Sequence, residues 1–222
     1  MRQRLGLERA ELPRAQLPGP LNTCQLRCKD TGVICGAPLD VSGFHALTDS
    51  KGGGVLQRHN HLAKAVGSLV AMWRLVQPLY EQRVPGWDPP PRRPRAGGDP
   101  IERAIPDVEI ATDAGRKWVD VTIHHPAAGD DAAVRAASRK PGEANRRAER
   151  TKHERYPGPQ LVPFAVEVGG RLGTEARAFL LDEIRQLPQD MQMRELSRAY
   201  RVVSCALQVE VARQRRRAAG LR

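Results

Sequence analysis

Two short apolar runs joined by a turn, residues 104–125 (AIPDVEIATDAGRKWVDVTIHH), constrain the fold more than any other stretch of the chain. β-Branched and aromatic residues alternate with polar ones, and "DAG" between the runs is a turn signal, so the stretch reads as a β-hairpin. Side chains alternate faces along a strand. Val119, Val121 and Ile123 therefore share one face, and Trp118, Asp120 and Thr122 the other. Asp107 opens the first run and Asp120 sits in the middle of the second. Pairing of the strands brings the two carboxylates close. Carboxylates held together repel, and both stay ionised cheaply only with a cation between them. Mg²⁺ is the natural one, because it binds through one or two carboxylates plus waters and phosphate oxygens. The plainer alternative is that Asp107 caps a turn and Asp120 is a solvated strand residue.

The rest of the chain supplies helices to pack on that hairpin. Leu62, Ala65, Val66, Leu69, Val70, Met72 and Trp73 recur at helical spacing, with Pro78 set to end or kink the helix. The segment VPGWDPPPRRPRAGGDP is too rich in proline and glycine for regular structure and reads as a long basic loop. Residues 127–156 favour helix and are interrupted at Pro141 and Gly142. QLVPFAVEVGG reads as a third, buried strand, and TEARAFLLDEIRQL as a helix with Thr174 at its N-cap. A last helix from Met193 ends in a basic tail, with Cys205 expected as a buried free thiol. This order predicts an α/β fold, a small mixed β-sheet flanked by helices. The expected organisation is a loose leader at 1–22, a loop-rich Cys/His segment at 23–61, the α/β core at 62–188 and the helix with basic tail at 189–222.

Charge narrows the partners. The net charge is +11 at pH 7, which attracts polyanions. Nucleic acid is the first reading, an anionic membrane surface the second, and a composition bias toward Ala, Arg, Gly and Pro the third. No apolar run approaches a membrane-spanning length, and the charged, proline-broken N-terminus is not a secretory signal. The four cysteines then read as thiols or metal ligands rather than disulfides. Lys152 and Tyr156, in RAERTKHERYPG, lie one helical turn apart on one face. A lysine beside a metal and a phosphate stabilises developing negative charge.

Taken together, PDVEI, WVDVTI and KHERY resemble the restriction-endonuclease-like, PD-(D/E)XK-type domain at the C-terminus of site-specific non-LTR retrotransposon proteins. In the general pattern the lysine follows the second acidic residue by two positions, where this chain has Thr122. In the retrotransposon branch it sits on the following helix with a tyrosine just after it, as Lys152 and Tyr156 do. The resemblance implies a restriction-endonuclease-like fold with Asp107 and Asp120 as Mg²⁺ ligands, Lys152 assisting and Tyr156 near the site. It offers Glu81 as a weak further ligand and gives Glu167 a structural or peripheral place. It extends upstream: ICGAPLDVSGFHALTDSKGGGVLQRHNH matches a Cys/His zinc knuckle at Cys35, Gly36, Asp40, Gly43, His45, Leu47, Arg58, His59 and Asn60. Two cysteines of the pattern are replaced, by Val33 and Asp49.

Zinc wants four N, S or O ligands. Cys35, His45 and His59 supply three, and Asp49 or Cys28 the fourth; the alternative is a knuckle that no longer holds metal. The expected activity is Mg²⁺-dependent nicking of DNA by water attack on a phosphodiester. Arg92, Arg93, Arg95, Arg215, Arg216 and Arg217 would contact phosphates without reading sequence. The partner is DNA, or RNA, with no membrane and no small-molecule substrate, and with a reverse transcriptase in cis or in trans in the parent element. The location expected is intracellular, and nuclear for a working nuclease. The alternatives are a nucleic-acid-binding remnant without catalysis and a basic scaffold or interaction protein. Convergence of Asp107, Asp120 and Lys152 in space separates the first reading from the others.

Overall fold

The computed structural model describes residues 23–40, 43–88, 104–156 and 158–221. Its elements, in chain order, are α1 (Phe44–Thr48), α2 (Gly54–Arg74), β1 (Leu79–Tyr80), β2 (Val108–Thr112), β3 (Gly115–His124), α3 (Asp131–Arg139), α4 (Glu143–Arg155), β4 (Leu161–Glu167), α5 (Thr174–Arg185) and α6 (Gln189–Ala218). The four strands form one mixed sheet in the order β1-β2-β3-β4. β1, β2 and β3 are antiparallel neighbours, and β4 is parallel to β3. A parallel neighbour needs a crossover, which α3 and α4 provide.

The hairpin predicted from sequence is β2–β3, turning at residues 113–114 between paired Thr112 and Gly115. Val108 pairs with Val119, so one further step along the register sets Asp107 opposite Asp120. Val108, Ile110, Val119, Val121, Phe164 and Val166 face α2, α5 and α6 in the main core. The opposite face carries Asp120 beneath α4, which buries only Ala144, Asn145, Ala148 and Glu149. Gly142, at φ 78°, breaks the α3–α4 pair where the sequence indicated, in a left-handed conformation that costs glycine little. Among the described residues no helix is long and apolar enough to cross a membrane.

Several local expectations are corrected. α2 starts at Gly54, so the helix runs through the expected segment boundary at residue 61 and carries His59 on it. It ends at Arg74, before Pro78, with Leu75 in the left-handed region at φ 55°. Thr174 is the first residue of α5, and the N-cap is Gly173, which has no side chain to offer. Glu149 of α4 does the capping instead, accepting from Glu175 N at 3.0 Å. The expected basic tail is the last turn of α6, which runs on to Ala218. Cys205 is exposed, on the solvent side of α6. Helical periodicity alone did not reveal which side of so long a helix is covered. Arg92, Arg93, Arg95 and the leader at 1–22 lie outside the described residues.

The N-terminal segment is held onto the end of α6. Gln25 N donates to Ala218 O at 2.8 Å, and Cys24, Leu26, Ala46 and Ala218 form a small apolar cluster. Arg58 of α2 completes the join. It is 3% exposed, and its guanidinium donates to Leu47 O and to Gln214 Oε1. Replacing it by an apolar chain would strand two buried acceptors. Arg58→Met is expected to lower unfolding free energy by about 2 kcal/mol, read as a lower urea midpoint at unchanged m-value.

Candidate active site and metal cluster

Asp120 lies in the middle of β3 and is 4% exposed. Burial pushes its carboxyl above the usual range, and the neighbouring Asp107 pushes the same way, while the ammonium of Lys152 pulls it back. Lys152 Nζ, from α4, forms an ion pair with Asp120 Oδ2. That oxygen is fully buried, and the Lys152 ammonium against it compensates its charge. The Tyr156 ring, buried one turn on, lies 5.9 Å from Lys152 Nζ and stacks beside Trp87. An aromatic face beside an ammonium favours the cation and limits where it can swing.

Asp107 is held differently. Its Oδ2 accepts from Val121 N at 2.6 Å and lies 3.2 Å from His59 Nε2. The same Nε2 is 3.0 Å from Val121 O, and Nδ1 is 3.1 Å from Asn60 Oδ1. These three neighbours of the ring are acceptor oxygens, which suits an imidazolium with both nitrogens protonated. The hydrogen bond to Asp107 raises the His59 pKa to about 9, against the opposing effect of burial. Beside this group is a cavity of about 150 Å³ lined by Thr122, His124, Arg147, Ala148, Thr151 and Lys152. His124 titrates below its ordinary range because it is buried, and because Arg147 and Lys152 stand nearby.

The structure thus brings together Asp107, Asp120 and Lys152, with Tyr156 behind the lysine. Glu81 is exposed, and its backbone N–H donates to Asp107 O at 3.1 Å. Glu167 closes β4, buried, with Arg171 Nε at 3.4 Å. Arg215, Arg216 and Arg217 lie in the last turn of α6, where Arg217 donates to Gln57 of α2.

The second group is made by Cys24, Cys35, His45 and Asp49, whose ligand atoms all lie within 4.8 Å of one another. His45 Nε2 is 3.4 Å from Cys35 Sγ and 3.4 Å from Asp49 Oδ2. Lys51 N donates to Asp49 Oδ1 at 2.8 Å and so turns Oδ2 into the group. Burial raises the Cys24 thiol to about 11. Asp40 accepts from Phe44 N and His45 N at 2.9 and 2.8 Å, which fixes the short helix that presents His45. These four residues could hold a metal ion.

Two of the expected zinc ligands are elsewhere. His59 is on α2 against Asp107, and Cys28 hydrogen-bonds around Thr31, which lowers its pKa. Cys24, which sequence reasoning passed over, joins the group instead. The signal for it is a pair of short extended runs around a turn. Cys24 N donates to Ala37 O and Cys35 N to Leu26 O, both at 2.8 Å, which brings Cys24 and Cys35 to adjacent rungs. No protein-family model matches this sequence, and no curated protein matches it.

The His59 pKa gives a pH dependence with a definite sign. A histidine raised from its ordinary 6.5 to about 9 contributes stability fully below pH 6.5 and loses it as pH rises through about 9. Urea unfolding of the chelator-treated protein should show this loss between pH 6.5 and 9, and His59→Gln should flatten that part of the profile.

Proposed function

We propose that this chain is a metal-dependent DNA endonuclease with a restriction-endonuclease-like core, derived from a retrotransposon protein and acting in the nucleus. The observation that carries the reading is Asp120, a buried carboxylate with Lys152 against it and Asp107 close enough to perturb it. The arrangement of a hairpin, a crossover helix bearing the lysine and a parallel strand supports the same reading.

The residues fit Mg²⁺. Asp107 and Asp120 are hard oxygen donors on facing positions of one hairpin, close enough that the charge of Asp107 raises the Asp120 pKa. Asp107 and Asp120 would hold the ion, which when bound supplies Lewis-acid activation of water and of the phosphate. The chain's own groups do the rest. Lys152 sits at the buried carboxylate, where its ammonium can pass from pairing with Asp120 to pairing with a phosphodiester oxygen. The Tyr156 ring restrains it over that short path. The surplus of positive charge draws DNA to the site, and the arginines at the end of α6 meet phosphates. A reverse transcriptase would act beside it, in cis or in trans.

The Cys24, Cys35, His45 and Asp49 group suits zinc. Two thiols, an imidazole and a carboxylate are donors that zinc takes, and here their ligand atoms lie within 4.8 Å of one another. Zinc there would fix α1 and the start of α2.

Nicking of supercoiled plasmid in Mg²⁺ should disappear in Asp120→Ala and in chelator. Lys152→Met should slow it about 10²-fold or more while DNA retardation on a gel persists. Equal background nicking in wild type and Asp120→Ala, with retardation retained, would replace this reading with a binding protein. Zinc should raise the thermal midpoint of the wild type and of Cys28→Ser but not of Cys24→Ser, measured by calorimetry on metal-stripped protein.

A further inference from the structure

We propose that His59 is a positioning residue for divalent-cation binding: it fixes Asp107 so that Oδ1, not Oδ2, is the oxygen offered to the ion. The inference rests on the reading of Asp107 and Asp120 as cation ligands. Asp107 immediately precedes β2, so its side chain is not clamped between two paired strand neighbours. Val121 N donates to Oδ2 at 2.6 Å, and the His59 imidazole lies against the same oxygen, with Nε2 at 3.2 Å. With Oδ2 so occupied, ligation falls to Oδ1.

His59 does not hold Asp107 alone. Its Nε2 also lies 3.0 Å from Val121 O, so the imidazole and the Asp107 carboxylate together bracket the residue that follows Asp120. One histidine on α2 therefore ties the first carboxylate to the strand that bears the second. The ring itself is oriented by Asn60 Oδ1 at 3.1 Å. The helix beneath it is pinned one residue earlier, by Arg58 to Leu47 and Gln214. Outer groups that orient a metal ligand in this way typically contribute about 10–100-fold in metal affinity or activity.

A cation beside Asp107 also repels a second cation. Removing His59 thus has two opposed effects: lost orientation weakens binding, and lost repulsion strengthens it. Glutamine separates them, because its amide donates from a similar place and carries no charge. Methionine fills the space with neither donor nor charge.

The test is Mn²⁺ binding followed by electron paramagnetic resonance, on the full chain first supplied with zinc. Asp120→Asn sets the background from any other site. The expected result is wild-type binding above that background, at least about tenfold weaker binding in His59→Met, and recovery in His59→Gln. His61, on the same helix as His59, contacts Glu210 of α6, and His61→Ala, which breaks that contact, should leave affinity unchanged. Equal affinity in wild type and His59→Met would overturn the role of His59 and leave the metal site standing. Tightening in both His59 variants would overturn it too, since His59 would then act by charge alone. A parallel loss in Met, Gln and His61→Ala would overturn it as well, since the effect would then belong to α2 as a whole and not to His59. Wild-type signal no greater than Asp120→Asn would sink both this inference and the nuclease reading. Circular dichroism of each variant accompanies the titration. If His59→Met does not fold, His59→Ala, a good helix former at this position of α2, replaces it, and affinity equal to wild type there would overturn the role of His59.

Discussion

A carboxylate buried on a central strand must be met by positive charge, and the site is arranged around that need. Asp120 is 4% exposed and cannot be hydrated. Leaving it unpaired would cost several kcal/mol, about as much as a marginally stable domain has to spare. Lys152 meets it from α4, which packs across β3 and β4. The crossover from β3 to β4 brings α4 over the strand. Fold and site are thus one construction: the parallel pair demands the helix, and the helix carries the cation.

The other carboxylate is served from the opposite layer. α2 packs on the main core and presents three consecutive residues with three different tasks. Arg58 joins the helix to α1 and α6, His59 reaches Asp107 and Val121, and Asn60 orients the imidazole. The start of the same helix follows directly on the Cys/His/Asp group.

Much of this was legible in the residues. Alternation and the DAG turn fixed the hairpin, and the hairpin register set Asp107 opposite Asp120. Helical spacing put Lys152 and Tyr156 on one face, and in the structure they do lie together. The metal group was legible only in part. Cys35, His45 and Asp49 come together as expected, but Cys24 replaces His59 and Cys28. Reading the motif as one local unit assigned its last histidine to the same ion. A helix that starts at Gly54 instead carries that histidine away toward the sheet. The cap of α5 was missed for a similar reason, since its acceptor, Glu149, comes from another helix.

The sequence by itself determined the periodicities, and with them the helices, the strands, the hairpin register and the residues that share a face. These follow from interactions over a few residues or across one tight turn. Tertiary structure alone decided which side chains from different layers meet: His59 with Asp107, Lys152 with Asp120, Cys24 with Asp49, and Glu149 with the start of α5. The physical reason is range. Local pattern fixes the direction of a side chain about its own axis, whereas a meeting between elements depends on how far each helix runs and how closely it packs. Both are set by the residues buried between the layers.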